Sequence, residues 1–279
     1  MKMLFTFGMI RIPFFGTMIL IGILAAMKVL SYDAKRKNLN TEKIYDLVLS
    51  AFIGGVIGAR TVYVLFYNRS YYLENPIDIL KIYEGGLSIH GGLVGGVLFT
   101  LIYLKRNREF KILETADLLA PPLILAQGIG RIGCDVYGIV MKNPSFWGIK
   151  IGGVAYHPAQ IYEAILDYLL FFYLWKKRKN IKYDGQLFGR YLIGFAVIRS
   201  TVEIFRDNPK VLGLLSISHI LSLILLASGI IWLKIVSKIG KKTVHPQEDK
   251  NEHLPYVGFI LLLLIFISLG IFYLVQLNL

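Results

Sequence analysis

The chain has 279 residues, 55% hydrophobic and only 18% charged, with 31 Lys and Arg against 18 Asp and Glu for a formal charge of +13. So apolar a composition excludes a soluble globular domain and points to a polytopic membrane protein. The positive excess does not indicate nucleic acid, because the basic residues sit in short clusters between apolar runs rather than in a patch interleaved with recognition aromatics. The single cysteine, Cys134, excludes a disulfide framework and any multi-cysteine metal site.

The first apolar run, Ile12 to Leu30, has a basic residue before it, Lys2, as a signal peptide would. It is long for the apolar core of such a signal. The dense Asp33-Ala34-Lys35-Arg36-Lys37 that follows predicts a retained anchor ending in the cytoplasm. Six further runs predict helices of spanning length: Ile44 to Tyr67, Gly86 to Leu104, Ile112 to Ile129, Pro158 to Trp175, Gln186 to Phe205 and Ile217 to Leu233. Lys and Arg collect after the first, third, fifth and seventh runs, which predicts an outside N-terminus. A polar segment, 238–253, then leads to an eighth, charge-free run from Leu254 to Leu274, expected to be a lipid-facing anchor without chemistry. The division expected is therefore residues 1–237 as a seven-span catalytic domain, 238–253 as a linker and 254–279 as an additional helix. No internal repeat supports an inverted-repeat transporter.

Two features invite chemistry. In Glu84 to Gly96 one histidine, His90, lies between two Gly-Gly pairs where an apolar run begins, and glycine permits close backbone approach to it. A histidine there is a candidate base, or simply a satisfied polar residue in a glycine-packed helix. Secondly, charges occur within the spans, where each costs a few kcal/mol. Arg60 lies in the second run and Arg131 in Gly128-Ile129-Gly130-Arg131-Ile132-Gly133; Arg199, Glu203 and Arg206 are spaced i, i+4, i+7, predicting one helical face. Gln160, Glu163 and Asp167, at i, i+3 and i+7, give the fifth run a polar stripe.

Structural pairing would match Arg199 with Glu203, and Arg60 with Glu163 or Asp167. An anionic ligand accounts better for the surplus of arginine, and phosphate suits the guanidinium fork best. A phospholipid headgroup read this way sets up a general mechanism. A nucleophile attacks a lipid carbon, His90 takes its proton, and the arginines stabilise charge on the departing phosphate. Cys134 is either a nucleophile or a small buried filler.

Several motifs in order resemble those of the prolipoprotein diacylglyceryl transferase family over about residues 10 to 235. They are Gly58-Ala59-Arg60 with Tyr63 to Asn68, Glu84 to Gly96, Asp117 with Ala120-Pro121 and Gln127, Gly130 to Gly133, His157 to Glu163, and Arg199 to Arg206. The resemblance implies an all-α polytopic membrane protein, a seven-helix transferase-like bundle here followed by one additional C-terminal helix. It implies a multi-pass enzyme of the bacterial cytoplasmic membrane that moves diacylglyceryl from phosphatidylglycerol to the lipobox cysteine of a preprolipoprotein, without a cofactor or metal. By the same resemblance His90, Arg131 and Arg199 are catalytic, and Arg60, Glu203, Arg206, Gln160, Tyr162 and Glu163 bind substrate. The chain departs from the family pattern after the central arginine, with Cys134, Tyr137 and Ile139 where Asn, Asn and Glu are usual. It also has Phe15 and Phe195 in place of tyrosines and His219 in place of glutamine. These departures leave open a divergent homologue with another acceptor, or a non-catalytic phospholipid binder.

Overall fold

The computed structural model describes residues 3–7, 10–213, 215–241 and 254–277. Eight helices of 18 residues or more follow the eight apolar runs: α1 (Phe14–Arg36), α2 (Thr41–Phe66), then, after a short α3 (Arg69–Glu74), α4 (Ile89–Arg106), α5 (Ile112–Ile132), α6 (Ala159–Lys177), α7 (Gln186–Glu203), α8 (Ile217–Ile239) and α9 (Leu254–Leu277). Among the described residues strand is confined to three two-stranded antiparallel hairpins, β1 (Met3–Phe7) with β2 (Ile10–Pro13), β3 (Ile149–Ile151) with β4 (Val154–Tyr156), and β5 (Lys210–Leu212) with β6 (Leu215–Ser216). The chain is an all-α polytopic membrane protein. Five of its helices, α1, α2, α5, α8 and α9, are long and apolar enough to cross a bilayer. The remaining three long helices are about 27 Å or more in length, close to the hydrocarbon thickness. In α6 and α7 buried polar residues, Gln160, Glu163, Asp167 and Glu203 among them, lower the hydropathy.

Local signals set the helix ends. The Asn40 side chain accepts from the N–H groups of Glu42 and Lys43 to start α2, Ser88 caps α4, and Ser216 with His219 forms a reciprocal capping box on α8. Basic residues occupy the last turns of α1, α4, α6 and α8, where they complement the helix dipole, and are absent from the last turns of α2 and α7. The basic clusters read from the sequence are thus helix C-termini; α5 also ends on a basic residue, Arg131, which belongs to the site.

The chain forms two compact units, residues 31–115 and residues 1–30 with 116–279. In the first, α2 and α4 pack through facing glycines. A Cβ on Gly58 would collide with the carbonyl oxygen of Gly91 and lie 2.8 Å from the Cα of Gly95. Only hydrogen fits there. Gly58→Leu is expected to cost about 1–3 kcal/mol by overpacking, visible as a lower Tm in detergent; an unchanged Tm would contradict so close a crossing.

In the second unit Tyr168, fully buried, centres a core with Phe14, Met18, Ile129, Ile132, Ile161, Leu261 and Phe272. A second cluster joins α6 and α7 through Leu170, Leu174, Leu187, Tyr191, Ile198 and Val202. The carboxylate of Asp117 accepts from the N–H groups of Gly185 and Phe188, at 2.7 and 2.8 Å, and so caps α7 from α5. The helix of the eighth apolar run, α9, is more than a lipid-facing anchor. Leu261, Ser268 and Phe272 are buried, and the Tyr168 hydroxyl lies 2.9 Å from that of Ser268. Of the expected linker, residues 242–253 lie outside the described residues.

Candidate functional site

Five charged side chains converge in the second unit. Glu163, one turn and a half into α6 and wholly inaccessible, is the shared partner: its Oε1 lies 2.8 Å from Arg131 Nη2, and its Oε2 lies 3.9 Å from both Arg199 Nη1 and Arg206 Nη1. Glu203, also buried, pairs with Arg199 at 3.0 Å and faces Arg206 Nε at 3.9 Å. Three guanidinium groups around two carboxylates leave a formal excess of one positive charge. Each helix delivers its residue near the same end of the unit. Arg131 is in the last turn of α5, Glu163 near the start of α6, and Arg199 and Glu203 in the final turns of α7.

One expectation needs correcting. Arg206 is not on the helical face of Arg199 and Glu203, because α7 ends at Glu203 and the chain turns, the N–H of Arg206 bonding the Glu203 carbonyl at 3.1 Å. The turn brings Arg206 back to Glu163 nonetheless.

Loop residues that sequence reasoning did not single out complete the arrangement. Ser216 Oγ and Asn208 Nδ2 donate to Glu203 Oε1 at 2.6 and 2.7 Å, and Arg199 Nη2 donates to Ser218 Oγ at 3.1 Å. His219, at the glutamine position of the family pattern, sets its Nδ1 3.1 Å from Ser216 Oγ. Arg199, Arg206, Asn208, Pro209, Ile217 and Ser218 line a cavity of about 220 Å³. Among the described residues, Arg199 Nη1 and Arg206 Nε have no hydrogen bond and instead face Glu163 Oε2 and Glu203 Oε2 at 3.9 Å. Lined by two arginines and by no carboxylate, the cavity suits an anion.

The rest of the α6 stripe is buried as well. Asp167 is fully buried, and among the described residues neither of its oxygens nor either amide atom of Gln160 has a hydrogen-bond partner. Cys134 lies 3.9 Å from Arg131 Nη1 and 3.8 Å from the Gly130 carbonyl, so the thiol stands beside the central arginine where the family pattern has an amide. On the other side of Glu163, Tyr162 receives a hydrogen bond from Trp147 Nε1 at 3.1 Å, and its hydroxyl is 3.1 Å from His157 Nδ1. Phe15 and Phe195 are apolar here: the backbone of Phe15 abuts Gly133, and Phe195 stacks on Tyr191.

Arg60 and His90 belong to the first unit. Arg60 is satisfied by carbonyls of that unit rather than by a carboxylate: its guanidinium donates to the carbonyl oxygens of Asp78, Ile79, Gly85 and Gly86 at 2.6–3.0 Å and lies over the Tyr72 ring. Gly86, at φ +70°, is held so close that a Cβ would fall 2.7 Å from Arg60 Nη1. Asp78 in this loop is held below the usual carboxylate range by hydrogen bonds from Lys81 and Tyr71. The clamped loop leads into α4, where the N–H of Ser88 bonds the Ala59 carbonyl at 3.0 Å. His90 follows in the first turn, exposed, its imidazole without a hydrogen bond among the described residues.

Membrane-length helices whose polar residues meet in one buried arginine–glutamate cluster define a polytopic membrane protein with a charged site built between its helices. The family model of prolipoprotein diacylglyceryl transferase matches residues 2–235. Among similar proteins, the phosphatidylglycerol–prolipoprotein diacylglyceryl transferase of Geobacter sulfurreducens is 34% identical over 84% of this chain and 94% of its own length. That of Clostridioides difficile is 34% identical over 87% of the chain and 98% of its length, and one from Clostridium perfringens is 35% identical over 85% and 95%. The chain belongs to the prolipoprotein diacylglyceryl transferase family, a family of membrane transferases.

Proposed function

We propose that this chain transfers the diacylglyceryl group of phosphatidylglycerol to the lipobox cysteine of a preprolipoprotein, forming a thioether and releasing glycerol phosphate. The observation that carries the reading is the cavity lined by Arg199 and Arg206 and by no carboxylate, in a cluster of three arginines and two glutamates. At about 220 Å³ it is smaller than the ~300–1,000 Å³ of sites that enclose drug-sized ligands, which suits a headgroup whose acyl chains stay in the bilayer. In this scheme the thiol attacks the glycerol carbon that bears the phosphate ester. His90 takes the thiol proton, the carbon–oxygen bond breaks, and the glycerol phosphate leaves with its added charge facing Arg131, Arg199 and Arg206. Glu163 and Glu203 hold those arginines in place before the lipid arrives, so no reorganisation is needed at the moment of reaction. Arg60 acts at a distance, fixing the loop before His90. The basic helix ends face the cytoplasm of a bacterial inner membrane in this reading, with the N-terminus and the site at the outer end.

The test is reconstitution of the full chain in phosphatidylglycerol vesicles with a synthetic lipobox peptide. A peptide mass increased by one diacylglyceryl group is the result expected, and none should appear when its cysteine is serine. A lipid product formed without peptide modification would instead identify another acceptor, the reading that Cys134 beside Arg131 favours.

A further inference from the structure

The α9 helix begins beyond the residues matched by the family model, yet it is seated by specific contacts rather than by composition alone. Leu261, Leu264, Ile265, Ser268, Phe272 and Val275 recur at helical spacing and turn one face to the core of their unit. Two hydroxyls add direction to that packing. Ser268 meets Tyr168, and the Tyr273 hydroxyl donates to the Trp147 carbonyl at 2.6 Å. A helix that merely filled the bilayer would need neither.

From Tyr273 the contacts run to two residues that adjoin the site in the chain, Tyr162 and Phe205. Trp147, held through its carbonyl, donates its indole N–H to Tyr162, whose hydroxyl also meets His157. The rings of Tyr162, His157 and Phe205 pack pairwise at 5.2–6.0 Å between centroids. Tyr162 immediately precedes Glu163, and Phe205 immediately precedes Arg206. The Ile139 N–H, bonded to the Phe205 carbonyl at 2.9 Å, ties the same loop to the end of α7. Next to this rim, Phe146 and Trp147 are 96% and 42% exposed, an apolar pair unsuited to phosphate and suited to an apolar stretch of peptide.

We propose that α9 is a positioning element of the transferase: through Tyr273 it fixes Trp147, and with it Tyr162, on the side of the site that receives the acceptor peptide. This rests on the reading that the acceptor is a lipobox peptide. The experiment uses the full chain in phosphatidylglycerol vesicles and the substitution Tyr273→Phe, which removes one oxygen and no packing volume. The expected result is a KM for the peptide raised about 3- to 10-fold, the value of one hydrogen bond, with kcat and the KM for phosphatidylglycerol unchanged. A second readout does not depend on turnover. With the three tryptophans labelled as 5-fluorotryptophan, the ¹⁹F resonance of Trp147, assigned by its loss in Trp147→Phe, shifts in Tyr273→Phe while those of Trp175 and Trp232 stay. An unmoved Trp147 resonance, or a fall in kcat with the peptide KM unchanged, overturns the proposal. Absence of transfer by the unsubstituted chain overturns the transferase reading instead, and the ¹⁹F comparison then decides whether α9 braces Trp147.

Discussion

Arg131→Ala is expected to lower diacylglyceryl transfer by about 10²–10³-fold, the loss typical of removing one preorganised donor to a developing oxyanion, while the protein still inserts and folds. Arg131 is the most accessible of the three arginines, at 28% of its side chain, so its removal leaves little buried void. Glu163 keeps Arg199 and Arg206 as counterions at 3.9 Å, so the deletion does not strand a buried carboxylate. Arg131→Lys should fall between, because ammonium keeps the charge and loses the planar fork. The measurement is peptide lipidation by mass alongside Tm in detergent. Unchanged transfer in Arg131→Ala would remove this arginine from the mechanism, and a collapse of Tm would show that its work is structural.

The second large effect is the reverse, in stability first and activity with it. Glu163→Ala removes the carboxylate that faces three guanidinium groups from a position with no solvent access. Breaking a buried pair by deleting one partner costs about 3–5 kcal/mol because the remaining charge is left uncompensated. Here Arg131 loses its carboxylate, while Arg199 and Arg206 are left to share Glu203. Glu163→Gln retains shape and hydrogen-bonding capacity and is expected to be milder. A Glu163→Ala protein with the Tm of the parent would mean that solvent or another group neutralises the arginines and that the cluster is not held together as described.

Much of the fold was legible from hydropathy alone, because lipid demands long apolar runs and the chain supplies eight. Ile112, Gln186 and Ile217 are helix starts in both sequence and structure. The end of α7 was not, since nothing in Glu203-Ile204-Phe205-Arg206 breaks a helix by composition. The stop arises where Glu203 is drawn to Ser216 and Asn208 across the following loop. At the site, the polar stripe of α6 and the arginines of α7 announced themselves through the cost of burying charge. Which acid served which arginine did not. Glu163 is shared among three residues from separate elements, and no periodicity encodes that. Arg60 shows the same limit in another form, because backbone carbonyls are present at every residue and leave no mark in a sequence. In α9 the apolar composition concealed the two residues that matter, Ser268 and Tyr273.

The stripe on α6 also bears on how the protein is made. Gln160, Glu163 and Asp167 are all buried on a helix that does not meet the hydropathy of an independent span. At about 2.5–3.5 kcal/mol for an Asp near mid-helix, such a segment offered alone to a translocon partitions poorly into lipid. Its nearest counterion, Arg131, precedes it at the end of α5, and Arg199 and Arg206 follow only at the far end of α7 and just beyond it. Biogenesis therefore has to admit α6 in company, Arg131 escorting its carboxylates from the helix before and α7 closing the site behind it.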